Sequence, residues 1–147
     1  TASYGKKLHH IKAHGALYNQ MFTDKDLSDF YLDTIKGFQE ECFIYVPYNS
    51  EIEKSALEKG FKIMYEAFGD RAYNDNLSLV SRNMKGALIN NPKLVIDQIA
   101  SIIDSKKIKS INDKYKSIKA DTICIHSDTD NSIKILKEIN KTFKNKK

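Results

Sequence analysis

The sequence predicts an α/β fold, with strands and helices alternating around a mostly parallel sheet or barrel, and two observations carry that prediction. Short apolar runs suited to strands are each followed by a segment whose apolar residues recur at helical spacing, and the connections are short. The runs also end in polar, chemistry-bearing residues, as strands do where they deliver side chains to one rim. A bundle or a sandwich would show neither pattern.

The first strand is expected at Leu8 to Ile11, where apolar and polar residues alternate, and it is broken by His14 and Gly15. His9 and His10 lie within it as wall residues, and Tyr18 and Asn19 shape the turn that follows. Thr23 or Asp24 then caps a helix with Leu27, Phe30, Tyr31, Ile35 and Phe38 as its core stripe. Cys42 to Val46 reads as a strand buried on both faces and stopped by Pro47. Ser50 caps the next helix, which carries Glu51 and Glu53 in its first turn and ends at Gly60. Phe61 to Tyr65 is a third strand that runs into Glu66-Ala-Phe-Gly-Asp-Arg71.

Residues 72–90 lack periodicity, which in a compact domain marks a binding loop. Asn91-Pro92 opens a helix by the cap-then-proline rule, and Leu94, Val95, Ile96, Ile99, Ile102 and Ile103 form its buried stripe. Lys107 to Ile118 is expected to be a hairpin turning at Asn112-Asp113, and Thr122 to Ile125 the last strand. Thr129 or Asp130 caps a final helix with Ile133, Leu136, Ile139 and Phe143 inward, followed by a frayed lysine-rich tail.

Composition narrows the class. The 147 residues suit one domain; 41% hydrophobic and 29% charged content describes a globular chain, and no apolar run reaches membrane-spanning length. The opening Thr-Ala-Ser-Tyr-Gly-Lys-Lys lacks the apolar core of a secretion signal, so a cytoplasmic location is expected; Thr1 in place of an initiator methionine points to a processed chain or a piece of a longer one. Cys42 and Cys124 lie far apart in apolar runs and read as buried free thiols.

The net charge of +5 is carried by the last third, where Asp104 to Lys147 holds twelve lysines and six acids. These lysines alternate with Ile, Asn and Ser without arginine or an aromatic series, which describes a solvated helix face and no nucleic-acid surface. Only two arginines, Arg71 and Arg82, stand against 22 lysines, either by chance or where a planar bidentate fork is needed.

Three strand ends carry ionisable residues: His14; Glu66 with Asp70 and Arg71; His126 with Asp128. In a parallel sheet they would gather at one rim, where carboxylates and imidazoles move protons or hold a divalent ion and arginines neutralise a carboxylate or phosphate. Each also has a structural reading. His14 can simply bond backbone, Glu66 with Asp70 and Arg71 can be a loop ion pair, and His126 with Asp128 can cap the last helix. No zinc signature, phosphate-binding glycine loop or serine nucleophile elbow is present.

Lys12 to Gln20, Glu66-Ala-Phe-Gly-Asp-Arg71 with Tyr73, Ser78-Leu-Val-Ser-Arg82, Gly86-Ala-Leu-Ile89 and Thr122-Ile-Cys-Ile-His-Ser-Asp128 together resemble the LamB/YcsF family, whose members are known as the A subunit of bacterial ATP-dependent 5-oxoprolinase. The resemblance implies a partial (β/α) barrel of the glycoside hydrolase and deacetylase type, with residues 1–147 as one domain forming its C-terminal part and the N-terminal portion absent. It implies a reaction that opens 5-oxoproline to glutamate with ATP hydrolysis, in company with 5-oxoprolinase subunits B and C, and leaves room for a divalent metal ion whose ligands it does not fix.

On that resemblance His14, Glu66, Asp70 and His126 are the expected catalytic residues, and Lys12, Tyr18, Asn19, Arg71, Arg82 and Asp128 the expected substrate-binding ones. The chain departs from the family pattern at Ala13, Ser127 and Leu77, where the family has proline, glycine and glycine. The competing expectations are a metal-assisted deacetylase-like hydrolase and a non-catalytic module that binds a partner.

Overall fold

The structure, a computed structural model, describes residues 5–144. The chain packs as two compact units, residues 1–66 and 67–147. Its elements are β1 (His10–Ile11), α1 (Gly15–Gln20), α2 (Lys25–Thr34), β2 (Phe43–Val46), α3 (Glu51–Glu58), β3 (Ile63–Phe68), α4 (Pro92–Ser105), β4 (Lys107–Lys109), β5 (Tyr115–Ser117), β6 (Thr122–Cys124) and α5 (Ser132–Phe143).

The main sheet has the order β1-β2-β3-β6. β1, β2 and β3 are parallel, in the registers His10 to Phe43 and Ile44 to Ile63. Parallel neighbours need a crossover, and α2 and α3 supply the two in the first unit. β4 and β5 form the expected antiparallel hairpin, with Asp113 at φ 62 in its turn.

Local chemistry sets the helix ends. Asp24 accepts from Leu27 N at 2.9 Å, Ser50 from Glu53 N at 3.2 Å and Asn91 from Lys93 N at 2.9 Å, so three helices start where a side chain can satisfy an orphan N–H. The first unit buries Met21, Leu32, Ile44, Val46, Ile52 and Ala56 between its sheet and helices. In the second, Val95, Ile99 and Ile135 form a core flanked by Ile89, Ile123, Ile125, Ile139 and Phe143.

Several expectations are corrected. Phe30 is 71% exposed and Phe38, in a 3₁₀ turn, 43%; the buried stripe of α2 runs instead through Ser28 and Leu32. Leu94 and Ile103 of α4 and Ile133 and Leu136 of α5 are also exposed. The apolar residues of α5 outnumber what one face can bury, and those spaced by four from Ile135 point inward. β2 is buried in alternation, with Phe43 exposed, because only one face of it is fully covered.

His9 and His10 are exposed, and His10 stacks on Tyr45 at 3.9 Å. Cys42 and Cys124 are not joined in a disulfide; Cys42 is buried and Cys124 half-buried. α5 is preceded by Asn131, whose side chain makes no cap bond, in place of the expected Thr129 or Asp130. Residues 15–20 form a helix where only a turn was expected. The opening Thr1 to Tyr4 and the end of the lysine-rich tail, residues 145–147, lie outside the described residues. Among the described residues, no helix is long and apolar enough to cross a membrane.

Candidate active site

The segment Glu66 to Arg71 is buried at all six positions although three of them carry charge. It is the end of β3 and the loop that leaves it, and each charge has a different answer to desolvation.

In the first unit Lys12 Nζ meets Glu66 Oε1 at 2.6 Å, with side chains 14% and 4% exposed. The ammonium also lies 5.7 Å from the centroid of the buried Tyr18 ring, a favourable place for a cation. Glu66 Oε2 is closed to water and has no hydrogen-bond partner among the described residues. Lys12 follows β1 and Glu66 lies in β3, parallel strands on either side of β2, which is how residues far apart in sequence become a pair. His14 precedes α1 in extended backbone with no capping bond, and both His14 and Asn19 are exposed.

In the second unit Asp70 is fully buried and is the acceptor of a dense set of bonds. Its Oδ2 receives the backbone N–H of His126 at 2.8 Å and the hydroxyl of Thr129 at 2.6 Å. His126 Nδ1 stands 3.1 Å from both carboxylate oxygens. A carboxylate only accepts, so Nδ1 carries the hydrogen and Nε2 is left as the basic nitrogen of the neutral ring. The imidazole is half-buried and stacks on Phe68, centroids 5.3 Å apart and planes 14° from parallel. A buried acid behind a histidine and an aromatic face beside it fix the ring in position and tautomer, the arrangement a general base requires.

The loop that carries Asp70 is held from two sides. Gln98 Nε2 donates to the carbonyls of Phe68, Gly69 and Arg71 at 2.9, 3.1 and 3.0 Å. Tyr73 Oη accepts from Phe68 N at 2.7 Å. Arg71 is 3% exposed, donates from Nη2 to Val80 O at 2.7 Å, and has no partner for Nε among the described residues. Burial, and then the like charge of Arg82, holds its guanidinium below the ordinary value. Arg82 Nη1 pairs with Asp128 at 2.7 Å, and that bond holds the Asp128 carboxyl below the usual carboxylate range.

The structure therefore joins Lys12 with Glu66 and Tyr18, Asp70 with His126, and Arg82 with Asp128. Asp128 serves Arg82 and does not cap α5. Thr129 and Gln98 support the site without being marked by any motif in the sequence. Thr129 has the sequence signal of a helix cap but spends its hydroxyl on Asp70, and Gln98 is marked only as a polar residue within the apolar stripe of α4. No three His, Cys, Asp or Glu residues among those described gather so as to hold a metal ion.

The model of the LamB/YcsF family matches residues 1–147. The chain is 39% identical over 140 residues to the A subunit of 5-oxoprolinase from Campylobacter jejuni subsp. jejuni serotype O:23/36 (strain 81-176), covering 95% of this chain and 55% of that one. It is 34% identical over 139 residues to the A subunit of 5-oxoprolinase from Pyrococcus horikoshii, covering 95% and 54%. Among solved structures, the lactam utilization protein from Thermus thermophilus superposes with a TM-score of 0.84 at 26% identity, over 96% of this chain and 57% of that one. The chain thus spans about half the length of the curated relatives it matches.

Proposed function

The chain belongs to the LamB/YcsF family, and on that premise we propose that it supplies the C-terminal portion of the A subunit of a 5-oxoprolinase, in a cytoplasmic assembly with subunits B and C. The reaction opens 5-oxoproline to L-glutamate at the expense of ATP. The observation that carries this reading is the buried Asp70 carboxylate set behind His126.

A lactam resists water because its nitrogen donates electron density into the carbonyl. In this reading ATP serves as co-substrate within the assembly: its γ-phosphoryl group passes to the lactam carbonyl oxygen as ADP leaves, which makes the carbonyl carbon reactive, and no residue of this chain is assigned to its adenosine. His126 Nε2 then takes a proton from water as the water oxygen bonds to the carbonyl carbon. The C–N bond breaks with its electron pair going to nitrogen, the proton passes to that nitrogen to give the free amine, and a second water converts the acyl phosphate left behind to the carboxylate and inorganic phosphate. Asp70 stabilises the imidazolium formed in between, and Phe68 keeps the ring from turning away. Arg71 and Arg82 in the second unit provide the positive charge that a substrate carboxylate or a phosphate needs, and in the first unit Lys12 is a candidate substrate contact. His14, exposed at the head of α1, remains a candidate acid or base, and Tyr18 and Asn19 candidate substrate contacts.

Mixing the native protein that carries these residues with its partner subunits, ATP and 5-oxoproline tests the reading. Glutamate release is expected, with loss of turnover on His126→Ala while the circular dichroism spectrum is retained. Absence of glutamate with the assembly formed would leave the partner-binding module as the better account.

A further inference from the structure

Glu66 differs from the other acids of the chain in how its two oxygens are treated. Oε1 is matched by Lys12 at 2.6 Å, while Oε2 is shut off from water and receives no donor among the described residues. A surface ion pair turns its second oxygen to solvent; this one, on a side chain 4% exposed, is turned inward. A buried acceptor without a donor forfeits its hydration and gains nothing, and native proteins keep few of them.

The missing donor can be characterised. Lys12 already balances the charge of Glu66, so a second cation would leave net charge in a desolvated place, whereas a neutral N–H completes the acceptor at no such penalty. In a cyclic amide the ring holds N–H and C=O on the same side of the C–N bond. An acceptor for that N–H therefore also fixes the direction in which the carbonyl presents itself.

We infer that Glu66 Oε2 accepts the ring N–H of a lactam, and that this bond sets the preference for cyclic amides over ring-oxygen and N-alkylated analogues. The inference rests on the lactam reading above and gives Glu66 a specificity role.

Calorimetric titration of the native protein, assembled with its partner subunits, compares 5-oxoproline, its N-methyl derivative and the analogue with oxygen in place of N–H. The unaltered protein is expected to bind 5-oxoproline about a hundredfold or more tightly than either, because an N–H-binding site facing a ring oxygen sets two acceptors against each other. Glu66→Gln, which can donate where a carboxylate cannot, is expected to shrink the ratio of 5-oxoproline to ring-oxygen analogue by about tenfold or more. If that variant fails to fold, Glu66→Asp, with the oxygen withdrawn by one methylene, should weaken 5-oxoproline alone.

Equal binding of 5-oxoproline and the ring-oxygen analogue by the unaltered protein overturns the inference, as does an unchanged ratio in folded Glu66→Gln or equal weakening of both compounds in Glu66→Asp. Failure to bind any of the three compounds removes the lactam reading itself. That result is distinct from failure of the Glu66 assignment, in which 5-oxoproline binds without preference.

Discussion

Asp70 and His126, 56 residues apart in the chain, meet at 3.1 Å with the acid wholly removed from solvent and the base still reachable. The pair forms because Asp70 follows β3 and His126 follows β6, two strands that neighbour each other in the sheet.

Asp70→Asn presents His126 Nδ1 with an amide that either donates or accepts, so the ring loses its enforced tautomer. Turnover should fall by a factor on the order of 10² to 10⁴, with less change in substrate binding. Steady-state kinetics on a variant with an unaltered circular dichroism spectrum would check this, and unchanged turnover with only a raised KM would argue against the tautomer role.

Thr129→Val keeps the shape of the side chain and deletes the 2.6 Å bond to Asp70. A hydrogen bond to a buried charged group contributes about 1.5–3 kcal/mol, and that much stability should be lost in urea denaturation. A change near zero would mean that water or a neighbouring donor replaces the hydroxyl.

Gly69 has ordinary backbone but no room: a Cβ there would stand 2.8 Å from Ile125 Cδ1 and 2.9 Å from Ile99 Cδ1. Gly69→Ala should cost about 1–3 kcal/mol by overpacking, measured by the denaturation midpoint. Adding Ile99→Val should restore part of the loss, since it removes one of the two terminal methyls in the clash.

Asp75 is held down to about 2, first by the bond from Lys114, then by that from Ser110. A carboxyl depressed on folding stabilises the protein above its unfolded value, here near the ordinary 3.8, and that contribution is lost as pH falls through about 2. The melting temperature of the unaltered protein should therefore drop more steeply between about pH 4 and about pH 2 than that of Lys114→Met. Parallel curves for the two proteins would show that the pair contributes nothing to folding.

Much of this fold was legible because it is local. Caps at Asp24, Ser50 and Asn91, the hairpin at 107–118 and the strand at 43–46 follow from a few adjacent residues each. The pairing Lys12–Glu66 was not legible, because the two residues lie 54 positions apart and only the sheet register brings them together. Phe30, Ile133 and Leu136 misled for a different reason: helical periodicity marks apolar residues and says nothing about which of two adjoining stripes finds a partner.

Leu77 shows what a departure from a family pattern can hide. It adopts φ 74, in the region glycine enters freely, and its side chain is 7% exposed. The left-handed backbone costs a leucine about 1–2 kcal/mol, and burial of the side chain, about 1.5–3 kcal/mol, offsets it. The loop thus keeps a backbone suited to glycine while gaining an apolar plug.

Gln98 turns α4 into a handle for the loop that bears Asp70. Three carbonyls converge on its single amide nitrogen, so the loop cannot shift without breaking those bonds or carrying the helix with it. The 14 residues of α4 make a stiff rod, roughly 20 Å long, that ends at the left-handed joint of Lys106 just before the hairpin. A substitution that displaces α4 therefore acts on the loop beneath the base through one side chain, Gln98.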